Sequence, residues 1–256
     1  MNKKEFLSNL RHEIQALERP DTPHKSDIWD LGAPDIDACF PAQGLDGSGI
    51  HDILWAHLCD YCAGLAFILA LCARNAADQP LIWCVQRGKN PSIPYMHGLI
   101  DLGFPNPEDI LYIEVSKEID VLWAMEEALR HGAIAAVLGE VSADLTQSRR
   151  LHLAAQDAGR PCFLLHHNGK TPVNGSDTRW QIKSAQSTVL PFDPKAPGKP
   201  RWHLELVRNR NGRLGLWNVE WQYETRHFHI SAPMADRALA TGQSATSAQH
   251  SHSACA

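Results

Sequence analysis

Residues 47–71 read "GSGIHDILWAHLCDYCAGLAFILAL", and this stretch decides the fold. Ile50 to Leu54 has the apolar content of a buried strand, and Tyr61 to Ala76 that of an apolar helix. A strand that runs straight into a helix is where nucleotide-binding α/β folds place a phosphate-cradling loop, with backbone N–H groups at the helix N-terminus. Here the junction, residues 55–64, is "WAHLCDYCAG", with neither a Gly-rich turn nor a Lys followed by Ser or Thr. The stretch has the order of a nucleotide site without its chemistry.

The surrounding composition narrows the class. The chain has 256 residues, 44% of them hydrophobic, enough for the core of a domain of roughly 200 residues. A net charge of −5 argues against a strongly basic nucleic-acid binder, though not against a local basic patch. The seven cysteines are odd in number and irregularly spaced, and the first residues, "MNKKEFLSNLRHEI", are polar. Reduced, mostly buried thiols in a cytoplasmic protein are expected. The longest apolar run, Ala63 to Ala73, is shorter than the about 20 residues that span a bilayer. It reads as a buried helix, and no membrane association is expected.

Outward from the opening stretch, strands and helices alternate. "LIWCV" (81–85), "ILYIEV" (110–115), "AIAAVL" (133–138) and "CFLLH" (162–166) are strands without polar alternation. Helices are predicted over 95–102, after Ser116 as N-cap up to Gly132, and over 145–158 ending at Gly159. Such strands joined by helices predict a parallel sheet covered on both faces. After His167 the period becomes two: Trp180 and Ile182, then Trp202, Leu204 and Leu206, then Leu214, Leu216, Val219 and Trp221. Asn211-Gly212 is a hairpin signal, so antiparallel strands at the C-terminal edge are expected. Before the core, Phe6, Leu7, Leu10, Ile14 and Leu17 lie on one face of an amphipathic helix over 1–18, which docks on its own domain or on a partner. A linker is predicted over 19–49, a core over 50–235, and a disordered tail over 236–256.

With the residues in this order the chain resembles the RecA recombinase core. "GLDGSGIHDIL" (44–54), "LGFPNPEDILYIEVSKEIDVLWAMEEALRHGAIAAVLGEV" (102–141) and "WHLELVRNRNGRLGLWNVEW" (202–221) match RecA segments in order. Within that class the sequence is similar to the ImuA family, RecA-like proteins of the SOS-inducible translesion synthesis cassette. The closing hairpin pattern of that family falls here on Leu206, Arg208, Arg210, Gly212, Gly215 and Trp217. The resemblance implies a RecA-like core lacking a functional phosphate loop. It also implies a non-catalytic accessory role in DNA-damage-induced mutagenesis, through contacts with an ImuB-type Y-family polymerase homologue. A RecA filament is a further candidate partner, and DNA is met weakly or indirectly. The alternative is a SulA-like inhibitor of cell division that binds a tubulin-like GTPase.

ATP hydrolysis needs a phosphate loop with Lys, a strand-end Asp and hydroxyl for Mg²⁺, and a carboxylate for the water. Gly64 is the one glycine left in the loop slot, and Asp60 brings negative charge there. By the resemblance, Gly139 stands where the metal-binding Asp belongs and Gln86 near the catalytic Glu. Glu140, one residue on, is expected to face away by strand alternation. These losses predict a pseudo-ATPase with no catalytic residue, cofactor or metal.

The remaining groups are read both ways. Cys59 and Cys62 form a C-x-x-C that is a redox pair, half a zinc site, or an incidental loop thiol beside a core thiol, Cys62. His166-His167 is a satisfied strand end or, with Lys170 and Arg179 nearby, a DNA contact. Arg208 and Arg210 are solvated hairpin charges or, because the matching RecA element reaches a neighbouring subunit's ATP, a RecA-docking pair. The candidate partner-binding residues are therefore Phe6, Leu10, Ile14, Arg208 and Arg210.

Overall fold

The computed structural model describes residues 28–76, 78–88, 95–104, 106–131, 133–167, 173–187, 192–193, 196 and 198–232. The helix predicted over 1–18 with Phe6, Leu10 and Ile14, the first part of the predicted linker, Lys170, Gly132 and the tail 236–256 lie outside the described residues.

The elements, in order, are β1 (Ile28–Trp29), α1 (Pro34–Asp37), β2 (Leu45–Asp46), β3 (Ile50–Trp55), α2 (Leu58–Ala76), β4 (Leu81–Gln86), α3 (Met96–Leu102), β5 (Ile110–Val115), α4 (Glu118–Arg130), β6 (Ala136–Gly139), α5 (Leu145–Ala158), β7 (Cys162–His167), β8 (Thr178–Ala185), β9 (Arg201–Asn209), β10 (Gly215–Gln222) and β11 (His227–Ala232). Nine strands form one sheet in the order β11-β10-β9-β8-β3-β7-β6-β4-β5. Strands β3 to β8 pair in parallel, and β8/β9, β9/β10 and β10/β11 in antiparallel. This is the α/β architecture that the sequence predicts, a mostly parallel sheet flanked by helices with antiparallel strands at its C-terminal edge.

Two apolar layers close the sheet. On one face α2 lays Phe67, Ile68 and Leu71 over Ile53, Trp83, Leu138 and Leu165. On the other, Val121, Met125 and Leu129 of α4 and Leu151 and Ala155 of α5 cover Ile50, Cys84, Val137 and Leu164. By length and composition the 19-residue α2 is apolar enough to cross a membrane, a test its Ala63–Ala73 run alone fails. In the fold it is the core helix, with every residue from Phe67 to Ala73 buried.

Caps explain where the helices stop. The Asp144 side chain accepts from Gln147 N (2.8 Å), while Gln147 Oε1 accepts from Asp144 N (2.9 Å), a reciprocal box at the start of α5. Gly159, at φ 65°, ends that helix. The predicted cap Ser116 is displaced by one residue: Lys117 takes the N-cap position of α4, without a side-chain cap bond.

Residues 28–49, predicted as linker, are folded. Trp29, Leu31, Ile36, Phe40 and Leu45 are buried in the α2-side core. Their backbone is pinned by Asp37, whose carboxylate accepts from Leu31 N (2.8 Å) and Ala33 N (3.0 Å). Arg74 of α2 pairs with Asp30 and also donates to the Arg226 carbonyl (2.9 Å). Short turns bury irregularly spaced apolar residues without any period, so a periodicity reading passes over them.

Candidate functional site

In open α/β sheets ligands sit at the carboxyl ends of the strands, where the connections diverge. Here β3 is flanked by β8 on one side and β7 on the other. Beyond its end, Ala56 and His57 alone separate Trp55 from Leu58, the first residue of α2. Two residues leave no loop to wrap a phosphate.

The N-terminus of α2 is occupied from within the chain. The Asp60 carboxylate accepts from His57 N (3.1 Å), from Ser184 N (2.9 Å) and from Ser184 Oγ (3.3 Å). Burial opposes its ionisation, but the backbone N–H groups of Ser184 and His57 outweigh burial and hold the carboxyl below its ordinary value. A fixed anion thus takes the place at the helix end that a bound phosphate would need.

Aromatic rings line the same edge. Trp55 meets Tyr61 and His167 edge-on, at centroid distances of 5.6 and 4.8 Å, and His167 Nε2 lies 3.0 Å from the Ala56 carbonyl oxygen. Glu140 lies among these rings. Its Oε1 accepts from Tyr61 Oη and from Trp83 Nε1, both at 2.9 Å, while Oε2 is buried without a partner among the described residues. Burial raises the Glu140 carboxyl above its ordinary value, against the lowering effect of those two hydrogen bonds.

This overturns the expectation that Glu140 faces away from the site. The outward position is Gly139, where an added Cβ would lie 2.1 Å from Met125 Sδ on the α4 side. Leu138 and Glu140 share the α2 face and Gly139 turns to α4, so the alternation holds but Glu140 is the residue that meets Tyr61 and Trp83. Gly64 is corrected as well. It sits inside α2, where an added Cβ would come within 3.1 Å of Ile53 Cγ2 and Leu165 Cδ1. It lets the helix close on the sheet and is no loop glycine. Gln86 ends β4, its Nε2 donating to the Ser116 carbonyl (3.1 Å) and its Oε1 buried without a partner among the described residues.

A second polar centre lies beneath segment 173–177 on the opposite face. Asp52, in the middle of β3 and fully buried, accepts from Arg179 Nε (2.9 Å) and Nη2 (2.8 Å), Ser176 Oγ (2.9 Å) and Asn174 Nδ2 (3.0 Å). His166 Nε2 stands 3.7 Å away. Burial works against the Asp52 charge, and His166, Asn174 and Arg179 together hold its carboxyl below the ordinary value. Nearby, Asp177 accepts from Ile50 N (3.0 Å) and faces His152 Nδ1 (3.2 Å). The Asp177 carboxyl is held down at about 2, His152 and the Ile50 N–H overcoming burial.

Arg208 and Arg210 come together here. Arg208 Nη1 donates to the Asn174 carbonyl (2.7 Å), and Arg210 donates through its backbone N to Asp177 O (2.8 Å) and through Nη1 to Asp177 Oδ1 (3.4 Å). They fasten segment 174–177 to β9 and are more than solvated hairpin charges. The predicted residues thus fall into two groups, Gly64, Gln86 and Gly139 at the carboxyl edge and Arg208 and Arg210 at the corner. The Asp52 network escaped sequence reasoning, yet an aspartate inside the apolar run "IHDIL" already required a buried partner. Cys62, read as a core thiol, is exposed, as is Cys59. Among the described residues no group of three or more His, Cys, Asp or Glu is placed to hold a metal.

Fold and site define a class: an α/β protein with a nine-stranded mixed sheet whose carboxyl edge is lined by Asp60, Glu140 and aromatic side chains of the chain itself. No family model matches the chain. Two proteins named ImuA, from Caulobacter vibrioides strains NA1000 / CB15N and ATCC 19089 / CIP 103742 / CB 15, are each 33% identical to it over 250 residues. Those matches cover 90% of this chain and 98% of each relative. The chain belongs to the ImuA family.

Proposed function

We propose that this chain is a non-catalytic, RecA-like accessory factor of DNA-damage-induced (SOS) mutagenesis, acting in the cytoplasm within an ImuA/ImuB cassette. Membership of the ImuA family supports the cassette role. In this reading the chain works by gripping an ImuB-type Y-family polymerase homologue, with the RecA filament as a second partner and DNA reached indirectly. It is a pseudo-ATPase that takes no cofactor. The observation that carries this reading is the two-residue junction between β3 and α2, closed by Asp60. Phosphate binding at a helix end relies on free N–H donors and positive charge, and here a carboxylate stands in that place.

Two measurements test it. Calorimetric titration of the full chain with ATPγS and Mg²⁺ is expected to give no saturable heat, and micromolar binding overturns the non-catalytic half. Affinity capture from DNA-damaged cells is expected to recover an inactive Y-family polymerase homologue. Recovery of a tubulin-like GTPase in its place would turn the reading toward the SulA-like alternative.

A further inference from the structure

We propose that Cys59 and Cys62 are a redox-active dithiol that closes into a disulfide on the exposed first turns of α2. The described cysteines divide sharply: Cys39, Cys72, Cys84 and Cys162 are buried, whereas Cys59 and Cys62 are both exposed. Both lie in α2, three residues apart, which puts them on one helix face. Helix geometry sets their Cα atoms about 5 Å apart, inside the roughly 4.4–6.8 Å range that a disulfide spans. The backbone can therefore stay helical while the two sulfurs meet.

The step needs an oxidant, and a small disulfide such as oxidised glutathione supplies it. The Cys59 thiolate attacks one glutathione sulfur, forming a mixed disulfide and expelling a glutathione thiolate. The Cys62 thiolate then attacks the Cys59 sulfur, and the second glutathione thiolate leaves. Two electrons pass from the protein dithiol to glutathione, and the two thiol protons reach the departing thiolates through solvent. Cys59 Sγ lies 3.8 Å from Asp60 Oδ1, and Asp60 is the carboxylate that ties α2 to Ser184 of β8, so the pair stands beside the carboxyl edge.

The test uses the full chain under native conditions in glutathione buffers of increasing oxidised fraction, quenched with acid, alkylated and mapped by peptide mass. The expected product is a Cys59–Cys62 peptide lighter by two hydrogens, restored by dithiothreitol, with the four buried thiols unmodified. Peptide mapping keeps Cys255, outside the described residues, apart from the pair. Cys62→Ser is expected to stop at one glutathione on Cys59, and Cys59→Ser to lose the bridge. Phenylarsine oxide, which condenses with two adjacent thiols, is expected to load wild type at this pair and neither variant. The proposal is overturned if saturating oxidant leaves both thiols free or separately glutathionylated, or if the bridge forms only in urea.

Discussion

Asp52 carries the largest single-residue consequence. Its carboxylate is shut off from water, and the Arg179 guanidinium meets it at 2.8 and 2.9 Å. Removing one partner of a buried ion pair strands the other charge, so Arg179→Met is expected to lower unfolding free energy by about 3–5 kcal/mol. Asp52→Leu combined with Arg179→Met should recover much of that loss. The recovery stays partial, because Ser176 and Asn174 then lose their acceptor. Urea unfolding of the two variants and wild type measures both effects. Asp177 gives the pH dependence. Its folded value, about 2, lies below the ordinary 3.8. Its contribution is therefore complete above the ordinary value and is lost as pH falls through the folded one. Asp177→Asn should remove about 2 kcal/mol from the drop in stability across that window. Asp52 titrates in the same direction in both proteins, so the comparison isolates Asp177. Denaturant melts along an acid pH series would show a parallel fall in the two proteins if this account is wrong.

At the scale of elements, β6 shows how packing against a helix decides which residue can stand on each face. Gly139 is held small by Met125 of α4, whose Sδ an added Cβ would approach to 2.1 Å. Gly139→Ala is expected to cost about 1–3 kcal/mol through overpacking. Gly139→Asp should cost more, since it also buries an unpaired charge, and should bring no nucleotide binding, because the new acid faces α4. Urea midpoints and ATPγS calorimetry on the two variants check this. The same corner shows what the sequence could and could not reveal. The apolar strands at 81–86 and 162–167 were legible because strands buried on both faces lose their polar alternation, the edge strand at 110–115 because it keeps an apolar run although none of its residues is fully buried, and the C-terminal strands because they alternate. The inward turn of Glu140 was not legible, because the phase of a four-residue strand depends on which residue its helix neighbour leaves room for. Nor was the folding of 28–49, where single buried side chains and the Asp37 cap replace any period.

For the whole molecule, the question is which surface grips a partner, and the Arg208–Arg210 corner and the N-terminal face answer to different tests. Both arginines fasten segment 174–177, so an Arg208→Ala/Arg210→Ala chain is expected to lose stability, by roughly 1–3 kcal/mol for the Arg208 hydrogen bond and less than about 1 kcal/mol for the exposed Arg210 ion pair. Loss of RecA binding in that variant counts only if its melting curve shows it folded at the assay temperature. The N-terminal face gives a cleaner separation. If Phe6, Leu10 and Ile14 packed on their own domain, truncating each to alanine would cost about 2–5 kcal/mol. If they meet a partner, the triple variant should unfold within about 0.5 kcal/mol of wild type and lose the polymerase homologue in affinity capture. The proposed accessory role predicts the second pattern, because a chain without chemistry acts only through what it holds. A destabilised triple variant that still captures the homologue would move the grip off Phe6, Leu10 and Ile14 and onto the sheet-bearing core.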